Sequence, residues 1–132
     1  MLVNSGRTDT SLAAVSRFVS LHERAILVAI VLLALALRVA FVLQMRANPY
    51  FEHPQLDQGM FVEWGRAVAD GVELRPGPFF RAPLYAWFLG LVFRLSDGSL
   101  LAPRLVQAAL GAVAVHLVQR IGRRVFGPVV GL

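Results

Sequence analysis

The chain has 132 residues, 57% of them hydrophobic and only 16% charged, with a mean hydropathy of +0.63. A water-soluble domain of this size has too little interior to hide so much apolar surface, which points to a membrane protein or a piece of one. All thirteen basic residues are arginine and the net charge is +5, but they lie at the ends of apolar runs, where headgroups would meet them, and form no basic stripe with interleaved aromatics. Nucleic acid is therefore not the expected partner. The absence of cysteine excludes disulfides and thiolate metal sites.

Residues 1–24 begin small and polar and turn weakly amphipathic through Leu12, Val15, Phe18 and Val19, the pattern of a mobile tail with a surface-seeking turn or two. Arg7, Arg17 and Arg24 precede the first apolar run and place this tail on the cytoplasmic side. Residues 25–44 match the roughly 20 residues a bilayer requires and form the first expected transmembrane helix. Their one charge, Arg38, lies where a long side chain can reach the interface. Ala34 and Ala36 have the spacing of a signal-peptide cleavage site, but the apolar run continues to Leu43, which favours an uncleaved anchor.

Residues 45–81 form an expected first extracytoplasmic loop, punctuated by Pro49, Pro54, Pro76 and Pro78. Inside it, 58–70 has a helical period: Met60, Phe61, Trp64, Ala67 and Val68 share one face, and Glu63, Arg66 and Asp70 the other. Such a helix suits the membrane interface. Asp57 can cap its start and Gly71 can end it in a left-handed conformation. The stretch from Glu73 to Arg81 carries two prolines and a glycine and should turn.

Residues 82–96 form a short membrane helix, with Pro83 in its first turn and Tyr85 and Trp87 as an aromatic belt. It can cross only with flanking residues recruited, the bilayer thinned, or a re-entrant path. After a turn at Ser96–Ser99, residues 100–119 form a third run rich in small residues (Ala108, Ala109, Gly111, Ala112, Ala114), suited to packing inside a bundle. Residues 120–132 are a basic turn followed by the start of a truncated fourth helix. The expected fold is thus all-α and integral to the membrane, multi-pass in the cell's inner (plasma) membrane. About three transmembrane helices and one amphipathic interfacial helix make up the N-terminal part of a larger helical bundle. Three full crossings from a cytoplasmic N-terminus would put Arg120, Arg123 and Arg124 outside, against the positive-inside rule. A second run that dips without crossing removes the conflict, as does an inverted N-terminus.

No Walker loop, GxGxxG, GxSxG or HExxH occurs, which removes the commonest ATP, dinucleotide, hydrolase and zincin chemistries. The informative residue is Asp57, whose alternative role is the helix cap. His53 lies four residues before it with Glu52 alongside, a spacing that can share a divalent metal on a helix; Pro54 between them opposes that helix, and solvated loop residues are the default. Glu63 and His53, with Arg81 as a membrane-edge cation, complete the candidate substrate-binding set.

An apolar helix ending in Arg, the loop HPQLDQGMFVEWGRAVADG, the segment FFRAPLYAWFLGLVFRL and LLAPRLVQAALGAVAVHLVQRIGRRVFG follow in that order. Together they resemble the N-terminal region of type C membrane glycosyltransferases, the superfamily of protein O-mannosyltransferases and aminoarabinose transferases, from about Arg24 to the end. The resemblance implies that Asp57 is the catalytic first-loop acid; Gln58 stands where many relatives have a second. It implies inverting transfer of a sugar from a polyprenyl-phosphate donor to an acceptor hydroxyl on the extracytoplasmic face, without nucleotide sugar and with no certain cofactor. It further implies a site completed by later transmembrane helices of the same protein, so that these 132 residues alone are inactive. A transporter fragment, or a small non-catalytic membrane protein, is the alternative reading.

Overall fold

The computed structural model describes residues 6–72, 82–127 and 131, with the side chains of 6–20 outside that description. Its elements are α1 (Gly6–Met45), a 3-10 turn (Pro49–Phe51), α2 (Leu56–Ala69), α3 (Leu84–Leu95) and α4 (Leu101–Phe126). All are helical. Arg81, the expected turn at 73–81 and residues 128–130 of the expected fourth helix lie outside the described residues.

Two helices are long and apolar enough to cross a membrane: α1 over Leu21–Met45, whose most apolar stretch is nowhere buried, and α4 over Leu101–Phe126. α3 has only 12 residues, about 18 Å at the helical rise, against roughly 30 Å of bilayer hydrocarbon. Among the described residues, two helices thus have the dimensions of a span.

Two expected boundaries are corrected. The N-terminal tail at 1–24 is helical from Gly6, because no Gly or Pro interrupts the sequence between Arg7 and Met45 and the segment is rich in residues that tolerate a helix. The basic turn at 120–127 is instead the last part of α4. That helix continues to Phe126 and stops where the Gly127 amide, in a left-handed conformation (φ +88°), donates to Arg123 O at 3.0 Å.

The chain divides into two compact units, Met1–Leu37 with Ala109–Leu132, and Arg38–Ala108. In the first, the start of the long apolar stretch of α1 meets the end of α4. Glu23 is buried, and its Oε1 accepts from Arg123 Nη1 at 2.7 Å and from Gln119 Nε2 at 3.3 Å. A buried carboxylate is tolerable only when so satisfied. Ala112 is buried here too, as its small size allows.

The second unit is organised by the packing of α2 on α3. Leu89 and Phe93 of α3, with Leu100, form its core, against which Phe61, Val62, Ala69 and Phe88 pack. The helices approach closely because Gly65 and Gly90 face each other's elements: a Cβ on Gly65 would lie 2.6 Å from Leu89 Cβ, and one on Gly90 2.6 Å from Val68 Cβ. The expected face of α2 (Met60, Phe61, Trp64, Ala67 and Val68) is partly buried and Glu63, Arg66 and Asp70 are exposed, as the pattern anticipates, with the buried Gly65 and the half-buried Val62 and Ala69 beside it. At its end, the Gly71 amide donates to Val68 O and the Val72 amide to Ala67 O (3.1 and 2.8 Å), with Gly71 at φ +73°. This left-handed stop is the one its glycine anticipates.

Candidate active site

The HPQLDQG segment reaches α2 through an unusual backbone. Gln55 occupies the N-cap with extended dihedrals and no side-chain capping bond, and Leu56 follows at φ +54°. A left-handed leucine is uncommon and costs about 1–2 kcal/mol, and its side chain is exposed. Pro54 O folds over the first turn so closely that a Cβ on Gly59 would stand 2.7 Å from it. Asp57 is consequently the second residue of α2 and not its cap. Its carboxylate lies in the first turn, where the positive end of the helix dipole favours a negative charge.

From this position Asp57 lines a cleft of about 340 Å³. Gln58, Phe61 and Val62 of α2 line the same cleft, Phe61 standing one helical turn on from Asp57. Tyr85, Leu89 and Phe93 of α3 form a second wall; Pro103, Arg104 and Gln107 of α4 contribute a third. The Phe61 and Tyr85 rings meet edge to face at 5.1 Å, and Tyr85 stacks on Phe88 at 5.9 Å. The Tyr85 hydroxyl accepts from Gln107 Nε2 at 2.9 Å. The cleft thus combines an acid, a cation, a phenol and an amide on an aromatic floor.

Arg104 is its most distinctive group. Nη2 donates to Phe51 O at 3.0 Å, and the guanidinium carbon lies 3.6 Å from the centroid of the Phe51 ring, a cation–π contact. Among the described residues the buried Nη1 has no hydrogen-bond partner. A buried, charged donor left unpaired is costly, and such a group in a cleft wall is suited to an anionic ligand once the wall adjusts around it.

The other anticipated residues lie elsewhere. Glu63 and His53 are exposed and do not line the cleft; the His53 carbonyl accepts from Gln55 Nε2 at 3.1 Å. Glu63 is six residues beyond Asp57, a separation that carries it round to another face of α2. Among the described residues no group of three or more His, Asp or Glu side chains gathers as a divalent-metal site. Arg104, Tyr85 and Gln107 escaped the sequence reading of the site. The available signal was a polar pair three residues apart, Arg104 and Gln107, in the opening turns of an otherwise apolar run, where polar groups are expensive and tend to be functional. No family model, curated protein or solved structure matches the chain.

Proposed function

We propose that this chain contributes the first outer-face part of a membrane glycosyltransferase active site, with Asp57 as general base and a polyprenyl-phosphate sugar as donor. The observation that carries the reading is the presence of Asp57 and Arg104 in one cleft, the acid and the cation that such a displacement needs. An alcohol is a weak nucleophile. Asp57 takes the acceptor's O–H proton as its oxygen attacks the anomeric carbon; the bond from that carbon to the phosphate oxygen breaks, and the electron pair leaves with the polyprenyl phosphate. Attack from the face opposite the departing phosphate inverts the anomeric centre. Arg104 takes over the phosphate-stabilising role for which Arg81 was a candidate on charge alone, because a fixed guanidinium can hold phosphate oxygens in pairs.

The topology that accompanies this reading has two crossings, α1 and α4. An even number leaves Arg7, Arg17 and Arg24 on the same side as Arg120, Arg123 and Arg124, in keeping with the positive-inside rule. The ion pair of Glu23 with Arg123 supports it, since it joins the start of one span to the end of the other. The loop bearing Asp57 then faces the opposite, extracytoplasmic side of the inner membrane.

The test is transfer of labelled sugar by the full-length protein in proteoliposomes, with polyprenyl-phosphate sugars and nucleotide sugars offered separately. Transfer from the lipid-linked donor alone is expected. Transfer from the nucleotide sugar, or from neither across the common hexoses and pentoses, would overturn the proposal.

A further inference from the structure

The interfacial helix expected from the sequence was α2, yet α2 spends its apolar face on α3. The face left uncovered belongs to α3. Leu84, Trp87, Leu91 and Leu95 recur at helical spacing and are 79%, 58%, 61% and 79% exposed, while Ala86, Leu89, Gly90 and Phe93 on the other side of the helix are buried. No charge interrupts that stripe. On its flanks stand Arg94, exposed, and Tyr85, whose hydroxyl is hydrogen-bonded to Gln107.

We propose that α3 lies in the outer membrane–water interface with the stripe of Leu84, Trp87, Leu91 and Leu95 against lipid acyl chains. Three observations select lipid as the occupant. First, α3 is tethered to a span: five residues separate Leu95 from Leu101, the first residue of α4, a reach of at most about 20 Å. Second, the Tyr85–Gln107 hydrogen bond sets α3 beside the opening turns of α4, because Gln107 is six residues, about 9 Å, along that helix from Leu101. Third, α3 is too short to cross but has the make-up of a surface helix: a continuous apolar stripe that includes a tryptophan, and polar residues beside it.

The placement bears on the site. α3 supplies Tyr85, Leu89 and Phe93 to the Asp57 cleft, so that wall lies at headgroup depth, where the phosphate of a membrane-borne lipid resides. This consequence for the donor rests on the transferase reading; the placement of α3 does not.

Because these 132 residues contain no cysteine, nitroxide labels on single cysteines at positions 84, 87, 91, 94 and 95 of the full-length protein in liposomes can test it. Any native cysteine elsewhere is replaced first. All five sites are exposed, so the labels need not disturb the core. Labels at 84, 87, 91 and 95 should show high oxygen and low nickel-chelate accessibility, at a common depth of about 5–10 Å below the phosphates, with the label at 94 reached by the chelate. Depth increasing steadily from 84 to 95 would mean a crossing. Water accessibility at all four stripe positions, or exclusion of both relaxants by a second copy or another protein, would equally overturn the inference. The same pattern in a protein inactive with every donor would sink the transferase reading and leave the placement of α3 intact.

Discussion

Replacing Gly90 by alanine isolates the contact on which the second unit is built. The added Cβ would meet Val68 Cγ1 and stand 2.6 Å from Val68 Cβ and 3.1 Å from Gly65 O. Neither the Val68 Cβ nor the Gly65 carbonyl is the free end of a flexible chain, so relief requires the helices to separate. Overpacking of this kind costs about 1–3 kcal/mol, and a clash with atoms so near the backbone belongs toward the upper end. Against it stands the helix propensity of alanine, a gain of about 1 kcal/mol over glycine. The net expectation is a loss of about 2 kcal/mol, read as a lowered midpoint of denaturant unfolding in detergent micelles. Val68→Ala in the Gly90→Ala background removes the nearest methyl and should recover part of the loss, a coupling of at least about 0.5 kcal/mol between contacting residues. If Gly90→Ala is as stable as the parent or more so, propensity has won and α2 does not cross α3 at this point.

Two further substitutions probe other parts of the account. Arg123→Leu should destabilise more than Glu23→Gln in the same unfolding assay: the first leaves a buried carboxylate with Gln119 alone, whereas the second leaves a neutral amide facing an arginine that is 56% exposed. Equal effects would remove the argument for a buried charge at Glu23. Arg104→Lys should lower turnover with the lipid-phosphate donor by about 10-fold or more, and Arg104→Gln by about 10² to 10³. The loss should fall on donor-dependent kinetics and exceed any change in melting temperature; a purely structural tie to Phe51 predicts the reverse.

The helical class and the two long apolar helices were legible because hydrophobic runs and the scarcity of helix breakers are local properties of the sequence. So was the end of α2 at Gly71, a position that demands a left-handed residue. Its start was not, because Leu56 adopts a left-handed conformation that nothing in its own chemistry favours, and this moved Asp57 from the cap into the first turn. The two-faced pattern of α2 was legible, since Met60, Phe61, Trp64, Ala67 and Val68 are partly buried and Glu63, Arg66 and Asp70 exposed. The role of Gly65 was not, because a glycine carries no hydrophobic signal, yet its missing Cβ allows the close approach to Leu89 of α3. Asp57 stood out as a carboxylate in an aromatic loop, and it lines the cleft. Arg104 was missed because it lies 47 residues away on another helix, and sequence proximity had favoured His53 and Glu63 in its place.

The central claim is that Asp57 acts through its basicity, and Asp57→Asn in the full-length protein tests it most directly. Asp57 lies in the first turn of α2 and not at the cap; the amide keeps the size and one acceptor oxygen of the carboxylate and loses the favourable dipole interaction, about 0.3–1 kcal/mol, so expression, membrane insertion and melting should change little. An amide cannot accept the acceptor's proton, however, and loss of a general base typically costs about 10² to 10⁴ in rate. The account predicts that turnover with a polyprenyl-phosphate sugar falls by that factor while donor binding persists. Near-normal turnover in a well-folded Asp57→Asn protein would contradict it and leave the carboxylate a structural role at the start of α2.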